Sequence, residues 1–571
     1  MRKIAIVIMV IMIGMFLYGK DKDKAVVKGD VYIGFNAANI DDYIGKIAEY
    51  SVAKDGVLPY VSMHLNVFAR NYYFDVKGEN EGRSNGQKYS MIFDAGRIFT
   101  DEFSYKKFLH RLDHDPLTNL DAKEGDIMVW STDLAPGHEY RINYTEFENK
   151  AVLRSSNVEW LKLVANVRYE NRKGAHQGMT LSKCFSCHIT SMTRPVDETL
   201  TEVEPGIVID KGKFGAEYHF LYRESSEDEN YLTFTYLRAY HPLSHADIFY
   251  NRVSYDERDG ALPVFEEPEI RKYKHTFKIR YDFNEDNRVS GAAIYSKIKN
   301  EDENLEITGR YYSARYTGVI KGVATLNMRF RYENIDNDDV FVDIKENEAV
   351  AGPQAGMTFS EAYPDFGEAD FIRRSSLSRE DTIFQADLSA PFGDGYFVRF
   401  GYEYKDIDRD YYGNDSTTHN KFSVYFRTDP RKSFYGRIRF KADFIDNPFT
   451  NYKAAIEEIL GATPASNPFA AVQYWQLYDS RKANLTNQPS KVYDIDMRGT
   501  YKPREDVGMT LHYNYIYRDN DDLNYSEWED KNHILGFDIY YIPNEKTVLS
   551  AGINYYTHKT NTLFTYPYFY G

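Results

Sequence analysis

Both cysteines of the 571-residue chain fall in one stretch, "MTLSKCFSCHITSM" (179–192), spaced C-x-x-C with His188 directly after the second. In an exported chain this is the attachment pattern of a c-type haem. Thioether bonds from Cys184 and Cys187 to the haem vinyl groups set the two-residue gap. Phe185 and Ser186 span it, and His188 then sits under the iron as proximal ligand. The expected cofactor is one covalent haem c. Two other chemistries use part of the pattern. A redox disulfide needs only C-x-x-C, and a structural zinc site usually takes four ligands, for which no second C-x-x-C exists.

A sixth ligand would set the potential and accessibility of the iron. Upstream, "KGAHQGMT" offers His176 and Met179; downstream, "ITSM" offers Met192. His176 is the favoured distal ligand, because Gly174 and Gly178 flank it and would let the backbone fold over a haem face. More remote candidates are His110, His114, His138, His219, His241 and His245. "HRLDHD" sets His110, Asp113, His114 and Asp115 at a spacing that could suit a metal, but a packed, hydrogen-bonded turn beside Pro116 is the expected reading.

The chain that must carry this segment begins "MRKIAIVIMVIMIGMFLYGKDKDK". Arg2 and Lys3 precede an apolar run too short to span a bilayer comfortably, which reads as a signal peptide over 1–19, cleaved near Gly19/Lys20. An uncleaved N-terminal anchor is the alternative; in both cases the chain leaves the cytosol. No later segment is apolar enough for a membrane helix, and charged residues make up 27% of the chain. A membrane location would therefore require a closed β-barrel, the other way to satisfy every backbone group in lipid. Aromatics reach 16%, with Tyr 50 and Phe 36, and they favour strands. The net charge of −16 argues against a nucleic-acid partner.

From about residue 271 onward, alternating runs are separated by Asp-, Asn-, Gly- and Pro-rich turns. In "ATLNMRFRY", Ala324, Leu326, Met328, Phe330 and Tyr332 share one face while Thr325, Asn327, Arg329 and Arg331 share the other. "RIRFKADF" sets Ile438, Phe440, Ala442 and Phe444 against Arg437, Arg439, Lys441 and Asp443. Period 2 is the strand signature. Runs of roughly 9 to 11 residues with aromatic ends, one apolar face and one charged face fit transmembrane strands with a polar lumen. "NEDN" (284–287), "TDPRK" (428–432), "KPRED" (502–506) and "IPNEK" (542–546) read as hairpin turns.

The expected fold is all-β, a large transmembrane antiparallel β-barrel of roughly 20 to 28 strands with an inserted haem-binding segment. Residues 20–171 supply N-terminal strands and loops, 172–212 the haem segment, and 213–571 a barrel meander with long loops at 345–381 and 450–490. "YKAAIEEILGA" in the latter could form a short helix.

The stretch "YIGFNAANIDDYIGKIAEYSVAKDGVLPYVSMHLNV" (32–67) resembles the opening of MtrB/PioB-type outer-membrane barrels, with Lys46, Glu49, Tyr50 and Gly56 in the places of that family's "KF-x-EY…G" segment. "FLHRLDHDPLTNL" (108–120) and the C-x-x-C-H resemble barrel components of porin–cytochrome complexes. The resemblance implies a bacterial outer-membrane sheath that docks periplasmic and extracellular multihaem c-type cytochromes for electron transfer across that membrane. It departs in one respect: barrels of this family generally bind no haem of their own. The alternative is a porin or transporter for small solutes or metals in which C-x-x-C-H is structural. No G-x-S-x-G, H-E-x-x-H, phosphate loop or EF-hand loop appears, and no enzyme activity is expected.

Overall fold

The computed structural model describes residues 26–39, 49–50, 56–69, 71–81, 86–118, 131–182, 188–228, 232–236, 260–265, 267–342, 356–358, 361, 371–373, 375, 377–409, 416–446, 489–520 and 528–562. Residues 1–19, where a signal peptide is expected, both cysteines, "YKAAIEEILGA" and most of the two long loops lie outside them.

One sheet of 22 strands dominates. All but one of its strands form an uninterrupted antiparallel meander, each paired with the next in sequence, from Val26–Ala38 to Thr547–Asn561. The exception, Ser131–Asp133, pairs parallel to the start of His188–Lys211. The strand number falls inside the expected range. Among the described residues no ladder joins the first and last strands, and both present exposed apolar side chains such as Ile33 and Ile553.

Alternation along each strand sorts the side chains as the sequence pattern requires. Phe277, Ile279, Phe330, Phe400, Phe422, Ile438, Phe440, Leu511 and Phe537 are all exposed on the outer face. A soluble monomer rarely exposes an apolar patch larger than a few hundred Å²; this band runs from strand to strand across the sheet and calls for lipid. The other face is a lattice of cross-strand ion pairs, including Lys421 with Glu403 (3.0 Å), Arg439 with Asp494 (3.4 Å) and Arg223 with Glu202 (2.5 Å). Among the described residues no helix is long and apolar enough to cross a membrane.

The two rims differ. One carries tight turns, such as those between Ile270–Asn284 and Asn287–Asn300, and between Lys491–Arg504 and Val507–Asn520. The other carries the long connections at 112–140, 228–269, 338–378 and 447–490, and between the first two of these stands the hairpin holding residues 183–187. The turn after Ser416–Arg427 shows how the tight rim is built. The Asp429 carboxylate accepts from the Arg431 backbone and is gripped by its guanidinium (Nη2–Oδ2 2.8 Å). A Cβ on Gly395, whose φ is +83°, would come within 2.5 Å of Asp429. Arg431 holds the Asp429 carboxyl down at about 2. A site-specific carboxyl titration should therefore show Asp429 ionised to about pH 2, and Arg431→Ala should return the midpoint toward about 3.9.

Candidate functional site: a clamped hairpin on the long-loop rim

The strands Leu161–Ser182 and His188–Lys211 are 22 and 24 residues long, against about 14 for their neighbours. Neighbouring pairing ends at Arg141–Ala175 on one side and Glu227–Glu198 on the other. Beyond those pairs the hairpin leaves its long neighbours through residues 176–182 and 188–197, meeting only the short strand Ser131–Asp133 at Ile189–Ser191; residues 176–182 alone span about 23 Å at about 3.3 Å per residue. The 172–212 segment thus takes the form of a hairpin continuous with the wall. Ser182 and His188 are directly paired, so residues 183–187, with both cysteines, join the strands at its tip.

A hairpin this long is marginal alone in water; here both faces are covered. On one face, Gln177 Nε2 donates to the Asp115 carbonyl (2.6 Å) and to Ser191 Oγ (3.0 Å), and the Asp115 amide donates back to Gln177 Oε1 (2.9 Å). Ser191, fully buried, donates to Asp133 Oδ1 (2.9 Å). His114 has an acceptor at each ring nitrogen, the His138 carbonyl (3.0 Å) and Asp133 Oδ2 (2.6 Å). Burial by itself would raise the Asp133 carboxyl, but the Ala135 amide, His114 and Ser191 together pull it below the ordinary range. Leu117, buried at the end of this clamp, holds a left-handed φ of +58° that a branched residue rarely adopts.

The other face meets the short pair Leu232–Thr235 and Ala261–Phe265. Thr180 Oγ1 lies 2.8 Å from the Tyr236 hydroxyl, and a Cβ on Gly178 would come within 3.0 Å of Leu232 and Phe265. Arg194 is the centre of this contact. Its side chain, 9% exposed, reaches Glu267 (3.1 Å), Glu227 (3.9 Å) and His176 Nε2 (3.0 Å), and lies over the Phe265 ring (5.5 Å).

The structure brings His176 and Arg194 into direct register. His176 donates from Nδ1 to the Gln177 carbonyl (2.9 Å) and accepts at Nε2 from Arg194. It stands six residue pairs from Ser182–His188, about 20 Å along the strand. Meeting an iron held by His188 would require the tip to fold back and Arg194 to release the ring. Gly174 and Gly178 have a different use from the expected one. Gly174 lets the Arg141 carbonyl approach, and Gly178 lets the 232–265 pair dock. Met179 is three pairs from His188 and 40% exposed; Met192 is buried opposite Gly178. His219 sits in the wall with its ring against Gly206, and His241 and His245 lie outside the described residues.

The side chains of "HRLDHD" turn to separate partners. His110 pairs with Glu49 (2.9 Å) and stacks on Tyr50, His114 pairs with Asp133, and Asp115 accepts from the Leu117 amide (2.8 Å). Among the described residues no three His, Cys, Asp or Glu side chains are grouped to hold a metal. Asp133, Ser191, Arg194, Glu227 and Glu267 went unnoticed in the sequence. None belongs to a motif; only the period-2 alternation that puts positions 176 and 194 on paired strands could have hinted at Arg194.

A search among curated proteins finds no match. Solved structures similar in shape include the copper transporter OprC (9% identity, 93% of this chain and 74% of that one, TM-score 0.46). Others are the ferric enterobactin receptor PfeA of Pseudomonas aeruginosa (7%, 94% and 76%, 0.47) and the siderophore receptor PirA of Acinetobacter baumannii (9%, 94% and 76%, 0.48). Residues 39–468 match the family described as outer membrane beta-barrel porin, MtrB/PioB. With its lipid-facing apolar band, charged lumen and unequal rims, the chain belongs to that family of outer-membrane barrels and resides in the bacterial outer membrane.

Proposed function

We propose that this barrel carries one covalent c-type haem on its long hairpin and serves as the outer-membrane component of an electron conduit, docking multihaem cytochromes on the periplasmic and extracellular sides. The observation that carries the reading is the C-x-x-C-H at the tip of a hairpin that outruns its neighbours and is clamped on both faces. The donor set fits the group: two thiols and an imidazole in the order that haem c attachment needs. Cys184 and Cys187 would hold the porphyrin and His188 its iron, and His176, six residue pairs away, would reach that iron only with the tip folded back and Arg194 released from the ring. Bound there, the haem supplies one-electron exchange. The clamps hold the hairpin's base and bury Ser191, Met192 and Val196 there. A single haem cannot bridge a hydrocarbon layer of about 30 Å, so partner cytochromes must complete the path.

The test is a reduced-minus-oxidised pyridine haemochrome spectrum of the detergent-purified protein beside Cys184→Ala/Cys187→Ala. One c-type haem per chain, absent from the variant, is the expected result. A haem-free wild type would overturn the reading and leave a passive sheath or a solute porin, which conductance in a planar bilayer would tell apart.

A further inference from the structure

On the lumen wall near the tight-turn rim, three arginines stand in one cross-strand row. Arg427 pairs directly with Arg437, and Arg437 with Arg498. Their outward-facing neighbours on the same strands, Ile438 and Met497, are exposed to the lipid side, which places the arginines inward. Residues directly opposite in an antiparallel ladder have Cα atoms about 4.5–5.5 Å apart, and like charges there repel.

At some other cross-strand cation pairs on the lumen wall a carboxylate stands by, though among the described residues none does where Arg315 lies opposite Arg329. Arg379, opposite Arg409, has Asp381 at 3.4 Å, and Arg271, opposite Lys299, has Glu224, Glu269 and Glu301. In the arginine row only Arg437 has an ion-pair partner among the described residues, Asp496 at 3.6 Å. Arg427 lies over the Phe397 ring (5.2 Å). Arg498 lines a recess of about 450 Å³ with Tyr435, Thr500, Lys502, Thr510 and Asp538, the last standing 3.8 Å from His512. The recess therefore offers hydroxyls and a second cation beside the row.

We propose that Arg427, Arg437 and Arg498 form a binding site for oxyanions carried by small solutes, carboxylates and phosphates, entering from the tight-turn mouth. A multivalent anion lying along the row would offset the mutual repulsion that Asp496, at 3.6 Å from Arg437 alone, compensates only in part. Guanidinium forks match both oxyanions bidentately. The inference does not depend on the haem, since a haem-free barrel would keep the row.

Titration calorimetry of the purified full-length barrel with citrate, and separately with inorganic phosphate, tests it. Wild type should bind citrate saturably and more tightly than phosphate, with both lost in high salt. Arg427→Gln/Arg437→Gln/Arg498→Gln should bind at least about tenfold more weakly and, in low salt without anion, melt no lower than wild type. Citrate should raise the melting temperature of wild type alone. Arg172→Gln, whose arginine already pairs with Glu198, should bind as wild type does. Equal binding by wild type and the triple variant, an equal loss in Arg172→Gln, or no binding by wild type would each overturn the proposal.

Discussion

Asp133→Ala is expected to release the 112–118 and 131–140 segments from the hairpin while leaving the barrel wall intact. The Asp133 side chain is 3% exposed and serves three donors at once, the Ala135 amide (3.0 Å), Ser191 Oγ and His114. Removing the acceptor leaves these buried donors unsatisfied, typically at about 1–3 kcal/mol each and about 3–4 kcal/mol together. A loss of that size in a local unit corresponds to roughly 10² to 10³-fold faster opening there. Hydrogen exchange should therefore speed up by that factor at Leu134 and at Ile189–Ser191, which pair with Ser131–Asp133. Exchange in Arg379–Phe392 and Tyr396–Arg409 should not change. If all regions loosen together, the clamp is part of the global fold and the prediction fails.

The same carboxylate fixes the pH dependence of the clamp. Its value in the folded protein is depressed, so its contribution is fully present above the unfolded value of about 3.9 and is lost as pH falls through the lower folded one. The step that belongs to this carboxyl should appear in protection of 131–135 only below about pH 4. In Asp133→Asn that acid step should vanish.

Much of the architecture was legible because it rests on local rules. "RIRFKADF" alternates with period 2, and its apolar set proves to be the exposed outer face. "NEDN" and "IPNEK" became tight turns because Asx and Pro residues favour the turn backbone by themselves. The haem motif was visible as spacing along the chain. What surrounds it was not, because long-range register decides it. Nothing near Asp133 announces that it will lie beside Ser191, 58 residues away. Gly174 and Gly178 were legible as glycines but not as close-approach sites, since the atoms that require them belong to Arg141 and to the 232–265 pair. His176 looked like a free ligand in the sequence; only the ladder shows Arg194 opposite it.

Arg194→Met carries the second large expectation, and it acts on the other face. Arg194 is the cation among Glu227, whose side chain is 6% exposed, Glu267 and the His176 ring. Methionine keeps most of the aliphatic stem and the contact with Phe265 but removes the charge. The buried Glu227 then loses that compensation, at a typical cost of about 3–5 kcal/mol. The expected result is undocking of Leu232–Thr235 and Ala261–Phe265 from the hairpin, read as roughly 10² to 10³-fold faster exchange in those strands with 131–135 unaffected. Glu227→Gln combined with Arg194→Met should restore much of the protection, because the buried charge that Arg194 offset is gone. Failure of that rescue would mean that Arg194 acts through Glu267 or packing instead. The substitution also frees Nε2 of His176. If the barrel carries the proposed haem and its tip folds back onto His176, Arg194→Met should shift the spectrum toward the low-spin, two-histidine form even as the flank loosens. An unchanged spectrum would direct attention to the exposed Met179, three pairs from His188.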